Sequence, residues 1–312
     1  MSTRKACSVR KIRFSGRPEP VQAQRPTPGP GQLLVRTELV GVHLGLVRML
    51  RAGNVSDPGG EMVGTVVDTG PDVPGAWLGK RVGGVVFEGV YAEYALAAPA
   101  LVSELPADVD AADGLALVRG GLVAMGAVRS GGDIAGRSML VTAAASGSGH
   151  LAVQIARALG AERVVGAVGA ADKVAFVREC GADGVVGYED PWVERFDVIV
   201  DGVGGSLVTR AVEALAPRGR LVAYSAGGGS VEVGSLLAEL KTITGFSIGL
   251  LSRTQPDVIE SYRSELWKLL ADGAIRPRHT EFSVDRLDEA IASIEERRNL
   301  GRVVLRMAAS TS

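Results

Sequence analysis

The chain has 312 residues, of which 46% are hydrophobic and 22% charged, and its formal net charge is −1. That balance fits an ordinary globular protein of one large or two medium domains, and it removes any broad electrostatic case for nucleic acid. Cys7 and Cys180 are the two cysteines, too few for a structural zinc lobe or a disulfide framework, so free thiols in a reducing cytoplasm are expected.

In chain order, residues 1 to about 112 read as short strands and turns. "MSTRKACSVRKIRFSG" lacks the apolar core of a signal peptide. "RPTPGPGQ" reads as a surface loop, and "GQLLVRTELVGV" (Gly31 to Val42) as a strand. "EMVGTVVDTG" (Glu61 to Gly70) alternates and ends in a turn, and "LGKRVGGVVFEGVYAEYALAA" (Leu78 to Ala98) reads as two or three strands. This part predicts a largely antiparallel β body.

From about residue 113 the rhythm becomes strand, helix, strand, helix. The strands are "SMLVTAA", "RVVGAV", "GVVGY", "FDVIVDGV", "RLVAYSA" and "TITGFSIG" (Thr242 to Gly249). Helices "GHLAVQIARALGA", "AADKVAFVRECGA" and "SLVTRAVEALAPRG" lie between them. Such alternation with buried apolar strands predicts an α/β fold with a doubly wound parallel sheet. Two amphipathic helices and a last strand, "GRVVLRM", close the chain. No apolar run is expected to reach the ~18 to 20 residues needed to cross a bilayer, so no membrane partner is expected, and the charge balance speaks against nucleic acid.

The stretch "VTAAASGSGHLAVQ" is a degenerate dinucleotide fingerprint in the right context, with a strand before it and a helix after. Ala144, Ser146, Gly147, Ser148 and Gly149 are the candidate cofactor residues of this turn. Gly147 lets a pyrophosphate approach, and Gly149 lets the helix pack on the strand. The helix start then offers free N–H groups to an anion. The next strand ends in Val168, Gly169 and Ala170, without the carboxylate that would hold a ribose 2′-hydroxyl. Lys173 and Tyr188 follow, suited to a 2′-phosphate and an adenine face, so NADPH is the expected cofactor.

At this point the sequence resembles the medium-chain dehydrogenase/reductase superfamily, in its zinc-free quinone oxidoreductase and enoyl reductase branch. "DPGGEMVGTVVDTG", "LGKRVGG", "GVYAEY", "FDVIVDGVGG", "ALAPRGRLV" and "GRVVLRM" carry the resemblance, in the family's order and spacing. It implies a Rossmann-type domain over residues 113–249 and a GroES-like catalytic domain over 1–112 and 250–312. It also implies cofactor contacts at Gly202, Val203, Ser225 and Arg302, and a cytoplasmic homodimer joined along the edge strand Thr242 to Gly249. Zinc-dependent members carry a Cys and a His where this chain has His43 and Gly60, so no catalytic metal is expected.

The implied activity is hydride transfer from NADPH to a quinone or to an activated C=C. The Asn, Asp and Tyr of the reductases fall here at His43, near Leu46 and about Val55. His43 is therefore the candidate catalytic residue, as a proton donor or a hydrogen-bond donor to a substrate carbonyl. Glu61 is read as a structural anchor. The alternative is a nucleotide-binding relative with altered or lost redox chemistry, either an isomerase or cyclase or a non-catalytic binder.

Overall fold

The computed structural model describes residues 8–15, 18–53, 55–224 and 227–307. Packing divides the chain into two units, Met1–Arg119 with His279–Ser312, and Gly120–Arg278.

In the first unit, β1 (Ser8–Arg13) and β2 (Glu19–Gln24) pair antiparallel. The strands β3 (Leu33–Val42), β4 (Pro58–Thr69), β5 (Arg81–Glu88), β6 (Tyr94–Ala97) and β7 (Val102–Glu104) follow. Leu33, Val35, Val40 and Val42 of β3 enter one core with Met62, Val66 and Val82.

The second unit holds β8 (Ser138–Val141), β9 (Arg163–Val168), β10 (Gly184–Gly187), β11 (Phe196–Asp201), β12 (Leu215–Ala223) and β13 (Thr242–Gly245). Among the described residues they form one parallel sheet in the order β10-β9-β8-β11-β12-β13. This is the doubly wound order expected of a Rossmann-type sheet. The winding reverses between β8 and β11, and ligands of such sheets bind beyond the carboxyl ends of the strands at that point.

The chain then returns to the first unit with β14 (His279–Ser283) and β15 (Arg302–Arg306). The order there is β14-β15-β3-β4-β5-β7, with β6 also on β3. Every pairing is antiparallel except β14 on β15, so the β body is mainly but not wholly antiparallel.

Three features differ from the sequence reading. Residues 250–278 pack with the second unit: helices Ile248–Thr254 and Pro256–Ala271 lie on helix Leu122–Ser130, where Arg129 meets Glu265 at 2.5 Å. The expected strand Thr242 to Gly249 stops at Gly245, because Ser247 caps a helix by accepting from the Leu250 N–H at 3.3 Å. Finally, Ala111–Ser130 is helical and, by length and composition, could cross a bilayer; 78% of its most apolar window is buried, as in a core helix.

Candidate functional site

The nucleotide turn starts from β8. Its last residues lead to Thr142, whose buried hydroxyl donates to Asp201 Oδ1 at 2.6 Å and accepts the Gly202 N–H at 2.9 Å. Ala143 takes a left-handed φ of 50°, which turns the chain under the helix Gly149–Ala158. A Cβ on Gly149 would overlap the Ala143 carbonyl oxygen, so only glycine fits at that helix start. The Ser146 hydroxyl accepts the Gly149 N–H at 3.0 Å, while the Ser146 N–H donates to Ala143 O at 2.8 Å. Among the described residues no acceptor faces the N–H groups of Gly147 and Ser148. They stand at a helix start, where orphan donors and the dipole favour an anion. His150 is committed to structure: Nδ1 bonds Ser146 O at 2.8 Å and Nε2 accepts from the Arg278 N–H at 3.0 Å.

The other nucleotide candidates are distributed around this turn. Gly169 follows β9, and a Cβ there would press on the Tyr188 ring at 3.2 Å. The Tyr188 hydroxyl accepts the Ala143 N–H at 3.1 Å, a turn-bracing contact that the sequence reading did not foresee. Lys173 sits half-buried in the one-turn 3₁₀ segment Ala171–Lys173. Gly202 and Val203 follow β11, but their N–H groups are already taken by Thr142 and by Asp201, the latter at 3.1 Å. Ala144 is buried, with its N–H on Ala167 O at 3.2 Å. Ser225 lies outside the described residues.

In the first unit a second group of functional side chains gathers around β3. Glu61 of β4 is 1% exposed, and its carboxylate takes Arg302 Nη2 of β15 on Oε1 and Arg119 Nη1 on Oε2, the latter at 3.2 Å. Arg302 also donates Nη1 to Val42 O at 3.0 Å and is 7% exposed. Burial pushes its guanidinium down to about 10, still charged at neutral pH. It is thus an internal counter-charge, and the cofactor contact expected for it is replaced by the Glu61 pair.

His43 caps the helix Leu44–Arg51 by accepting the Leu46 N–H on Nδ1 at 3.1 Å. That bond fixes the neutral tautomer with its proton on Nε2. Nε2 lies 3.5 Å from where a Cβ on Gly60 would stand, and the Tyr91 hydroxyl 3.8 Å from the same point. Tyr91 itself donates to Gly41 O at 2.9 Å and belongs to the core. Burial, then Arg119 and Arg302, pushes His43 from 6.5 to about 3. It is therefore a neutral N–H donor, and the proton-donor half of the sequence expectation falls away.

Arg119 was not anticipated, although it is the one charged residue in the apolar stretch "GLALVRGGLVAMGAV". The π-helical turn Ala116–Gly121 carries it. Its side chain is 40% exposed, and among the described residues the Glu61 contact is its one hydrogen bond. Among the described residues, one carboxylate between two guanidinium groups leaves one positive charge without a counter-ion near His43. Among the described residues, no cluster of three His, Cys, Asp or Glu side chains could hold a metal.

Comparison with known proteins agrees with this division. The family described as alcohol dehydrogenase GroES-like domain matches residues 29–107, and the family described as zinc-binding dehydrogenase matches residues 147–264. Prostaglandin reductase-3 of Bos taurus is 34% identical, over 63% of this chain and 56% of that protein. The chain thus spans little more than half of that relative's length. Quinone oxidoreductase of Pseudomonas aeruginosa is 26% identical, over 95% of this chain and 99% of that protein. The structure of mycobacterial Rv1454c complexed with NADPH superposes with a TM-score of 0.86, at 27% identity, covering 96% of this chain and 100% of that one. The chain thus joins an alcohol dehydrogenase GroES-like domain to a zinc-binding dehydrogenase domain, the pairing of the medium-chain dehydrogenase/reductase superfamily, to which it belongs.

Proposed function

We propose that this chain is an NADPH-dependent, zinc-independent oxidoreductase that reduces a quinone or an activated C=C by two electrons. The observation that carries this reading is the neutral His43 N–H beside an uncompensated guanidinium, with no metal donor at Gly60. Such a site stabilises an oxygen that gains negative charge as hydride arrives. Relatives named quinone oxidoreductase and prostaglandin reductase, and the NADPH complex of Rv1454c, support it.

The residues present fit the nucleotide. Gly149 leaves the space that a side chain would fill, and the N–H groups of Gly147 and Ser148 suit its pyrophosphate. Lys173 suits a 2′-phosphate, and Tyr188 braces the turn from beneath. When bound, the reduced nicotinamide supplies the hydride. His43 Nε2–H suits an acceptor oxygen that gains negative charge, and water supplies the proton that completes the reduction. The donor set does not fit zinc, because Glu61 is spent on two arginines and Gly60 offers no ligand.

Titration of NADPH and NADH separately by fluorescence, followed by a quinone or an enone, tests this reading. Tight NADPH binding with acceptor-dependent oxidation is expected. Tight binding without oxidation transfers the weight to the reading with altered or lost redox chemistry. No binding rejects both.

A further inference from the structure

The cationic surplus around Glu61 goes beyond what hydride transfer to a neutral acceptor needs. A developing enolate needs a hydrogen-bond donor, which His43 Nε2 supplies. Arg119 adds a permanent charge on a half-exposed side chain. A guanidinium has five N–H donors, and among the described residues Arg119 uses one of them, on Glu61. Arg302 alone would neutralise Glu61: the pair is buried, with exposures of 9% and 1% for the two side chains. Among the described residues, no carboxylate other than Glu61 pairs with either of these two cations. Glu61 therefore fixes the position of Arg119 without cancelling its charge. A planar donor fork held in this way matches a carboxylate or another ionised oxygen.

We propose that Arg119 is a specificity residue, and that the preferred acceptor is a conjugated carbonyl compound carrying an ionised acidic oxygen, as a hydroxyquinone anion does. This rests on the reductase reading for its chemistry, but the binding it describes is measurable without turnover. The charged oxygen lies on Arg119, and the carbonyl that gains electron density is left to His43. Charge-assisted bonds of this kind are the strong ones.

The probes are 2-hydroxy-1,4-naphthoquinone, which is ionised at neutral pH, and its neutral methoxy analogue of nearly the same shape. Calorimetry on the wild-type chain is expected to show the anion binding about tenfold more tightly than the methoxy compound. Arg119→Gln is expected to abolish that ratio, and Arg119→Lys to restore part of it, since charge returns without the planar fork. Equal affinity of the wild type for the two probes overturns the proposal, whatever the variants do. So does a loss of NADPH affinity in Arg119→Gln with the anion preference intact, which would assign Arg119 to the cofactor. NADPH-dependent reduction of the methoxy compound is followed in parallel. Its absence counts against the reductase reading alone, since the binding ratio stands or falls without it.

Discussion

Arg302 reaches Glu61 across an intervening strand, through a gap left by Gly41. The two side chains stand on β15 and β4, with β3 between them. A Cβ on Gly41 would collide with both Arg302 Nη2 and Glu61 Oε1. Gly41→Ala is therefore expected to cost about 1–3 kcal/mol through overpacking. Glu61→Gln should cost more, about 3–5 kcal/mol, because it strands a buried guanidinium. Adding Arg302→Met to Glu61→Gln should recover part of the loss, since the orphaned charge goes with it. Urea unfolding of the three variants checks the order.

His43 makes folding sensitive to acid. Its folded value near 3 lies below the ordinary 6.5, so between the two the unfolded chain binds more protons. Its contribution to stability is complete above 6.5 and is lost as pH falls towards 3. A pH series of urea midpoints should show a flatter acid limb for His43→Gln than for the wild type. In the wild-type kcat/KM profile no limb from His43 is expected near 6.5.

The start of helix Gly149–Ala158 tolerates no side chain. Gly149→Val should raise the NADPH dissociation constant at least about tenfold and cost about 1–3 kcal/mol, through displacement of the Ala143 turn. Fluorescence titration beside a thermal melt separates the two effects. A variant that melts earlier yet binds NADPH normally would detach the turn from the cofactor.

Chelation provides a test of the metal assignment. Dialysis against a strong zinc chelator should leave turnover unchanged, and elemental analysis of the active protein should find zinc well below one per chain. Loss of activity that zinc restores would reverse the reading of His43 and Gly60.

Self-association is expected along β13, which ends the parallel sheet and leaves one side of its backbone unpaired among the described residues. Leu237 and Leu240, just before it, are 73% and 62% exposed. Light scattering should give a dimer for the wild type and a monomer for the Leu237→Glu, Leu240→Glu double variant.

The doubly wound sheet was legible in the sequence because its signals are local. Apolar runs such as "RVVGAV" and "FDVIVDGV" announce buried strands, and the glycines of "SGSGH" mark the turn between strand and helix. What sequence could not show was partnership. Glu61 and Arg119 are 58 residues apart, and their meeting depends on how a helix lies on a sheet. Arg302 read as a cofactor contact because its motif says nothing of Gly41, the gap through which it turns inward. Tyr188 and Lys173 are nucleotide candidates by position after a strand, but the bond of the Tyr188 hydroxyl to the Ala143 N–H needs three dimensions. The end of β13 at Gly245 was missed because "TITGFSIG" is apolar throughout, and a single Ser247 cap outweighs that pattern.

The π-helical turn Ala116–Gly121 has an evolutionary consequence. Such a turn is geometrically one residue inserted into an α-helix. Removing one residue there would restore α-helical winding and swing the Arg119 position by roughly 100° about the axis. Glu61 would then face a different side chain, with no change to any strand of the sheet. In this fold the charge beside His43 can thus be lost by a single in-frame codon deletion, and gained by the reverse insertion, as well as by substitution.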